Sequence, residues 1–203
     1  MLDHVFTDAI GALRDALEVA LLERQAFEEK FHNDILLGDL TWATSYALPG
    51  EGTPPRVRAD ITLDWPTWSQ TAYRLWYISE PFSDAPHILV NITFRLQRLS
   101  SQPDPAILLK ALPKLSPKIG DLPLERSAPK IEILFDRSLA VADYAIEVCY
   151  EGLYELSESV LADGTLLDQQ FGAMGGWIAS LLVKLGDVKL DFLPPESPTE
   201  AGS

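Results

Sequence analysis

Residues capable of nucleophilic or metal chemistry are few in this chain. Cys149 is the only cysteine, and three histidines fall in separate predicted elements: His4, His32 and His87. A lone cysteine offers no recognisable zinc spacing, and its acidic neighbours Glu147 and Glu151 would not lower the pKa of its thiol. We therefore predict no metal site and no cofactor, and we expect Cys149 to be a small, buried strand residue.

Larger catalytic motifs are also absent from the sequence. The chain contains no Walker loop, no dinucleotide fingerprint, no Gly-x-Ser-x-Gly elbow and no His-Glu-x-x-His pair. Two carboxylates, Asp60 and Asp64, share one face of a predicted strand and have the chemistry for acid–base work. Because Arg56 and Arg58 lie beside them, we expect cross-strand ion pairs instead. The sequence therefore predicts a protein that is not an enzyme.

A glycine-rich segment lies at 172–176. It falls inside an apolar helical pattern, where Gly172, Gly176 and Ser180 recur at every fourth residue and form one smooth stripe. Such a stripe allows the helix to approach the sheet or the first helix closely. The alternative is a helix–helix seam between two copies, which makes these three residues the candidate seam of a homodimer.

Arginine and tryptophan residues mark a second candidate surface. Arg74 and Trp76 share one face of a strand predicted at 71–79, whose other face is aromatic too. Together with Arg56 and Arg58, they indicate that the outer face of the sheet is not wholly exposed to solvent. Exposed apolar patches of that kind commonly mark interfaces. We therefore predict that these four residues bind a partner.

The charge of the chain narrows the choice of partners. The 203 residues carry a formal net charge of −14 at pH 7, and the part from Leu139 onward holds eleven acidic residues against Lys184 and Lys189. Such a field repels nucleic acid and anionic membranes and favours basic partners. No stretch approaches the roughly 18 consecutive apolar residues of a membrane helix. The N-terminus lacks the basic start of a signal peptide and one cysteine cannot form an internal disulfide, so we expect a cytoplasmic protein.

The element that organises the chain is a strand predicted at 86–98. Its apolar residues alternate without a break: Ile88, Val90, Ile92, Phe94 and Leu96. The residues between them are polar, with Leu89 as the only apolar exception. Because successive side chains of a strand point to opposite faces, this strand has one face on a core.

Three further strands are predicted before it, at 36–48, 55–64 and 71–79. Short connections between successive strands favour an antiparallel meander of four that includes 86–98. Upstream of the meander, apolar residues recur at helical spacing over 2–31. We therefore predict an N-terminal helix that lies on the sheet.

The second half of the chain is less regular. Six prolines interrupt 99–130, which we interpret as an excursion at the sheet edge with at most one short helix. A strand is predicted at 131–135. The segment 143–151 fits either a strand or a helix, and its aromatic and β-branched residues favour a strand. A C-terminal helix is predicted over 166–185, and the polar tail 194–203 is expected to be disordered.

Together these elements predict a single α+β domain over 1–193. It contains an antiparallel sheet of about five to six strands, which begins with the meander of four, and N-terminal and C-terminal helices packed on one face. This order of elements and the acidic surface are similar to those of the small dimeric chaperones of type III secretion. The resemblance is one of architecture and implies no role for any particular residue.

The sequence thus favours a non-enzymatic, acidic protein-binding module. We expect an adaptor or chaperone-like protein that acts through its sheet face or a dimer interface, with a basic protein as partner, no nucleic acid and no membrane, and a homodimer as a candidate assembly. Two alternatives stay open. One is a carrier of a small apolar ligand in a cavity between helices and sheet, and the other is an acidic mimic of nucleic acid that blocks a basic groove.

Overall fold

The strand predicted at 86–98 lies at the centre of the sheet in the computed structural model, which describes residues 4–21, 26–33, 38–136, 141–162 and 164–195. The structure is α+β, as predicted. In chain order the elements are α1 (His4–Leu21), β1 (Ala26–Asn33), β2 (Leu40–Ala47), β3 (Val57–Trp65), α2 (Thr67–Tyr77), β4 (His87–Leu99), α3 (Pro105–Ala111), β5 (Leu115–Ile119), β6 (Leu122–Arg126), β7 (Lys130–Asp136), β8 (Val141–Glu155), α4 (Glu158–Ala162) and α5 (Gly164–Gly186).

Every strand is antiparallel to its neighbours in the sheet. The strands β1, β2, β3 and β4 form a meander of four, and β8 lies beside β4. The far side of β8 pairs with β7 along one half and with the β5–β6 hairpin along the other. Ile61, Ile92 and Tyr150 stand opposite one another across β3, β4 and β8, and all three are buried. The core therefore lies under the strands whose sequences alternate most regularly.

Two long helices cover one face of this sheet. The apolar stripe of α1 is buried: Phe6, Ile10, Leu13, Leu17 and Leu21. α5 packs beside α1, and the two approach closely at Gly175, where a β-carbon would lie 2.8 Å from both the Leu13 carbonyl oxygen and the Ala16 β-carbon. The N-terminal and C-terminal helices therefore pack on one face, as predicted.

The N-terminal helix is shorter than predicted. It ends at Leu21, and Ala26–Asn33 forms a strand that pairs with β2. The apolar residues on which the prediction rested are three or four positions apart up to Leu21, but six positions separate Leu21 from Phe27. That gap exceeds one helical turn, so the apolar stripe ends there.

The segment 71–79 is not a strand, because its residues 71–77 belong to a helix. That helix is α2 (Thr67–Tyr77), which starts directly after a proline. This helix buries Gln70, whose side-chain amide donates hydrogen bonds to the carbonyl oxygens of Gly38 and Trp65. Glutamine is polar, so its burial cannot be recognised from the hydrophobicity of the sequence. The alternation of apolar residues at 71–79 therefore gave the wrong prediction of a strand. β1 takes the place of this segment in the meander of four.

In the second half, the strands predicted at 131–135 and 143–151 and the helix predicted over 166–185 are confirmed, but 99–130 contains two strands beside the one short helix expected there. The segment 143–151 is a strand, within β8, and the proline-rich excursion lies at the sheet edge with the short helix α3. The described residues form eight strands instead of five to six, because β1, β5 and β6 were not predicted and the strand predicted at 71–79 is not one. Residues 196–203 of the predicted disordered tail lie outside the described residues. None of the helices in the described ranges is long and apolar enough to cross a membrane.

Candidate functional site

The two faces of the sheet differ in character. On one face the apolar side chains pack under α1 and α5. The opposite face, which we call the open face, is formed by the alternate outward residues of β2, β3, β4, β7 and β8. Most of its side chains are polar and partly exposed. A face of this kind is available to a partner without any rearrangement of the core.

At one end of the open face the charges are balanced. Arg58 Nε lies 2.9 Å from Asp60 Oδ2 on the same strand. Arg95 donates to Glu147 at 3.0 Å and to Glu132 at 2.5 Å. Burial acts to lower the pKa of Arg95, but the two carboxylates outweigh burial and raise that pKa overall. The cations of this end are therefore neutralised within the chain.

The predicted cross-strand ion pairs of Asp60 and Asp64 are wrong in detail. The Arg58–Asp60 pair runs along β3 and does not cross to another strand. The cross-strand contacts are hydrogen bonds from β2 hydroxyl groups, because Ser45 Oγ donates to Asp60 at 2.5 Å and Thr41 Oγ1 donates to Asp64 at 2.5 Å. Both carboxylates thus fix β2 against β3.

Two leucines meet at the other end of the open face. Leu89 interrupts the polar series of outward residues on β4, Leu153 lies between the outward Glu151 and Glu155 on β8, and the register places the two leucines directly opposite each other. Trp68, in the first turn of α2, contacts His87 on the same face, with 5.6 Å between ring centroids. Leu153 is 52% exposed and Trp68 is 50% exposed. We call Leu89, Leu153 and Trp68 the apolar patch.

Four carboxylates border the apolar patch, and we call them the acidic rim: Asp64, Glu125, Glu151 and Glu155. Asp64 stands opposite Leu89 across β3 and β4, and Glu125 stands opposite Glu151 across β6 and β8. Glu155 Oε2 lies 3.7 Å from His87 Nε2. In the part of the chain that the structure describes, no lysine or arginine pairs with the acidic rim.

A groove of about 310 Å³ joins the apolar patch to the acidic rim. It runs between β3, β4 and β8 and is open to solvent. Its lining includes Leu89 and Leu153 as apolar residues and Asp64 and Glu151 as anions. The groove therefore offers apolar contact and negative charge within the reach of one partner segment.

Cys149 lies on the open face between the two ends, opposite Thr93 of β4. It is buried, as predicted, and burial is the main cause that raises the pKa of its thiol. A hydrogen bond with Thr93 acts in the other direction but does not offset burial. The thiol is thus held in its neutral, unreactive form.

Of the predicted partner-binding residues, Arg58 lies within β3 and pairs with Asp60 on the open face. Arg56 precedes β3, and its Nη2 donates to Glu51 Oε1 at 2.8 Å. Its guanidinium also lies 5.1 Å from the ring centroid of Phe192, in cation–π contact. Both arginines are therefore engaged within the chain.

The other two predicted residues lie on α2, beyond the opposite end of β3. Arg74 is exposed, and its Nη2 donates to Gln70 Oε1 at 3.4 Å. Trp76 is half-buried and stacks on Tyr73 with 5.8 Å between ring centroids. Because β3 is nine residues long, about 30 Å of strand separates α2 from Arg56. The structure does not bring the four predicted residues together.

The predicted dimer seam faces away from the core. Gly172 and Gly176 are partly exposed, Ser180 is exposed, and β-carbons added at the two glycines would meet nothing within 4 Å. The close approach of α5 to α1 occurs instead at Gly175, outside the predicted stripe. The stripe is therefore available to a second copy but is not needed for packing within the chain.

Comparison with known proteins assigns no family to this chain. No family model matches it, and neither a curated protein nor a solved structure matches it. The architectural similarity to the type III secretion chaperones gains no support from these comparisons. Among the described residues, no group of three or more His, Cys, Asp or Glu side chains is arranged to hold a metal ion.

The apolar patch was only partly visible in the sequence. Leu89 stood out as the one apolar residue on the polar side of its strand, but Leu153 gave no signal while the segment after 151 was not assigned to a strand. Extending the alternation of β8 to Glu155 would have placed Leu153 among outward residues. The contact between Trp68 and His87 depends on the helix α2, most of which falls in the segment 71–79 that the sequence predicts as a strand.

Proposed function

We propose that this chain is a non-enzymatic protein-binding module, adaptor or chaperone-like, that binds a basic segment of a partner protein on the open face of its sheet. The single observation that carries the proposal is the apolar patch bordered by the acidic rim. The segment that fits has an apolar residue flanked by lysine or arginine. The apolar residue contacts Leu89 and Leu153, and the flanking cations face the rim.

Charge complementarity supports a basic partner at this end of the face. Ion pairs within the chain neutralise Arg58 and Arg95 at the other end of the open face. Among the described residues, no lysine or arginine forms an ion pair with the rim carboxylates. The net charge of −14 adds a long-range attraction for cations, which accelerates encounter and weakens as salt is added. The rim then fixes where on the acidic surface the partner comes to lie.

Apolar contact supports a specific complex over diffuse charge attraction. Leu153 and Trp68 each expose about half of their surface, and covering apolar surface contributes roughly 25 cal/mol per Å². Tryptophan is typical of the centre of a protein interface, and charged residues are typical of its rim. An acidic surface without an apolar centre would bind cations weakly and without a preferred orientation.

The alternatives have no specific contact behind them. The grooves in the described structure are open to solvent. That the chain carries an apolar ligand therefore stays a prediction, which mass spectrometry of the purified protein tests. The nucleic-acid mimic also stays a prediction. It requires binding to a DNA-binding protein that nucleic acid displaces.

A randomised peptide library tests the proposal without knowledge of the natural partner. The library is selected on the wild-type protein after depletion on a Leu153→Ser variant, so that only peptides dependent on the patch are retained. We expect enrichment of sequences with lysine or arginine around an apolar residue. Enrichment of acidic or uncharged sequences, or no enrichment after depletion, would contradict the proposal.

A matched control separates the patch from exposed leucine in general. Leu122, on the β5–β6 hairpin, is 71% exposed and belongs to neither the patch nor the rim. Depletion on Leu122→Ser should leave the selected peptides unchanged. The same selected peptides should bind a Glu151→Gln variant more weakly, and the difference should shrink as salt concentration rises.

A further inference from the structure

Among the described strands, three lie at edges of the sheet, and they differ in how they are protected. β5 contains Pro117, which removes a backbone donor from that edge. β1 carries the exposed and basic Lys30, and charged side chains on an edge oppose strand addition. β7 (Lys130–Asp136) contains no proline, and among the described strands it pairs with β8 alone.

The middle of β7 is apolar and exposed. Ile133 is 60% exposed and Leu134 is 53% exposed, although they lie on opposite faces of the strand. Native proteins normally protect such an edge with proline, charge or a covering element, because it is a template for another strand. Among the described residues, β7 has no proline and no covering strand at its centre, and its one central charge, Glu132, is paired with Arg95 on the open face, which points to a strand that is covered in the assembled protein.

The sequence of β7 is complementary to itself when two copies run antiparallel. Pairing about Ile133 sets Ile133 opposite the same residue of the second copy. In sequence β7 begins with a lysine and ends with an aspartate, so the same pairing brings the basic end of each copy to the acidic end of the other. A strand that meets its own copy around a two-fold axis needs this kind of symmetric sequence.

We propose that the chain forms a homodimer by antiparallel pairing of β7 with β7 of a second copy, centred on Ile133. The backbone hydrogen bonds of the free edge are then made between copies, and the two sheets become one. The open faces of both copies lie side by side on the joined sheet, because strand pairing keeps the faces in register. This interface is separate from the candidate seam on α5 and does not rest on the proposed function.

Charge variants at the two-fold axis test the pairing and its register. Ile133→Lys and Ile133→Glu each place two like charges directly opposite each other in the dimer, while the exposed position leaves the monomer fold intact. Analytical ultracentrifugation should show a wild-type dimer, a monomer for each variant alone, and a dimer when the two variants are mixed in equal amounts. Leu122→Lys and Leu122→Glu are the matched controls and should both stay dimeric.

Cysteine cross-linking provides a second measurement that does not depend on weakening the dimer. In a Cys149→Ser background, Ile133→Cys should form an intermolecular disulfide under mild oxidation, whereas Leu122→Cys should not. A monomeric wild-type protein would overturn the proposal. So would a dimer that survives both Ile133 charge variants, failure of their mixture to re-form a dimer, or equal cross-linking at residues 133 and 122.

Discussion

Leu89 of β4 and Leu153 of β8 stand directly opposite each other on the open face, and each lies between two polar outward residues of its own strand. Had either strand been shifted by one residue, its whole apolar set would have left the core, so the register that joins these two leucines is fixed by burial on the other face. The core thus determines where the apolar patch forms. The acidic rim follows from the same register, because Asp64 stands opposite Leu89 and Glu151 is the outward residue next to Leu153 along β8.

Packing of α5 on α1 should be sensitive at Gly175. Gly175→Ala places a β-carbon 2.8 Å from the Leu13 carbonyl oxygen and the Ala16 β-carbon, and backbone atoms cannot yield as a flexible side chain does. We expect the free energy of unfolding to fall by about 1–3 kcal/mol in urea denaturation.

The neighbouring glycine is the control for this prediction. A β-carbon at Gly176 meets nothing within 4 Å, so Gly176→Ala should raise the free energy of unfolding by about 0.5–1 kcal/mol through higher helix propensity. Equal effects at Gly175 and Gly176 would contradict the described helix contact. A change of oligomeric state in Gly176→Ala would locate an interface at the predicted seam of Gly172, Gly176 and Ser180.

Two buried tyrosines should respond differently to loss of their hydroxyl groups. Tyr150 Oη donates to the Pro113 carbonyl oxygen at 2.5 Å, whereas the Tyr154 hydroxyl is buried without a hydrogen-bond partner in the described structure. Tyr150→Phe should therefore lower the free energy of unfolding by about 1–2 kcal/mol, and Tyr154→Phe should leave it unchanged or raise it by about 1 kcal/mol. Chemical denaturation of both variants measures the difference. A larger loss in Tyr154→Phe would mean that its hydroxyl does have a partner.

The same tyrosines predict a loss of stability in alkali. Burial raises the pKa of Tyr150 to about 12, against a smaller opposing effect of Arg126, and burial raises the pKa of Tyr154 to about 12. An unfolded tyrosine loses its proton near pH 10, so the folded state binds more protons between about pH 10 and 12 and stability falls as pH rises through that window. Ionisation of each tyrosine in the folded state therefore costs on the order of 2–3 kcal/mol of stability, a loss that is absent below pH 10 and complete above about pH 12. Tyrosinate absorbance should therefore rise together with unfolding, and both Phe variants should reduce the pH dependence.

Arg98 should hold the end of the described chain in place. It is buried, and its guanidinium donates to three carbonyl oxygens: those of Glu51, Pro54 and Leu193. Arg98→Met leaves these acceptors without donors, so we expect a loss of about 3 kcal/mol or more and faster amide exchange over 188–195. The exposed Arg74, with one long hydrogen bond to Gln70, is the control, and Arg74→Met should change stability by less than about 0.5 kcal/mol. Unchanged exchange over 188–195 in Arg98→Met would refute this role.

Local patterns were sufficient for the central strands and the two long helices. β4 and β3 alternate strictly, and α5 carries a continuous apolar stripe, so period alone identifies them. β8 was identified by its aromatic and β-branched residues. The segments that failed were those where burial does not follow hydrophobicity, as in α2, where Gln70 is buried by hydrogen bonds to two carbonyl groups.

The candidate site was less predictable than the fold. A single strand shows that Leu89 faces outward, but only pairing between distant strands shows that Leu153 lies beside it. The predicted grouping of Arg56 and Arg58 with Arg74 and Trp76 required a strand at 71–79, and the helix there removes the shared face. Sheet register and the path of the chain are long-range properties, and local alternation does not contain them.

The measurement that tests the central claim most directly is a titration followed by methyl NMR. A basic peptide from the library selection is added to protein with labelled leucine methyl groups, and binding is also measured in Leu153→Ser, Leu122→Ser and Arg74→Ala. We predict that chemical-shift changes are confined to the methyl groups of Leu89 and Leu153. The peptide should bind Leu153→Ser at least tenfold more weakly, equivalent to about 1.4 kcal/mol, and should bind the other two variants with unchanged affinity. Chemical-shift changes at other leucines, together with unchanged affinity in Leu153→Ser, would contradict the account. Loss of binding in Arg74→Ala would instead place the binding site on the surface that the sequence predicts around Arg74.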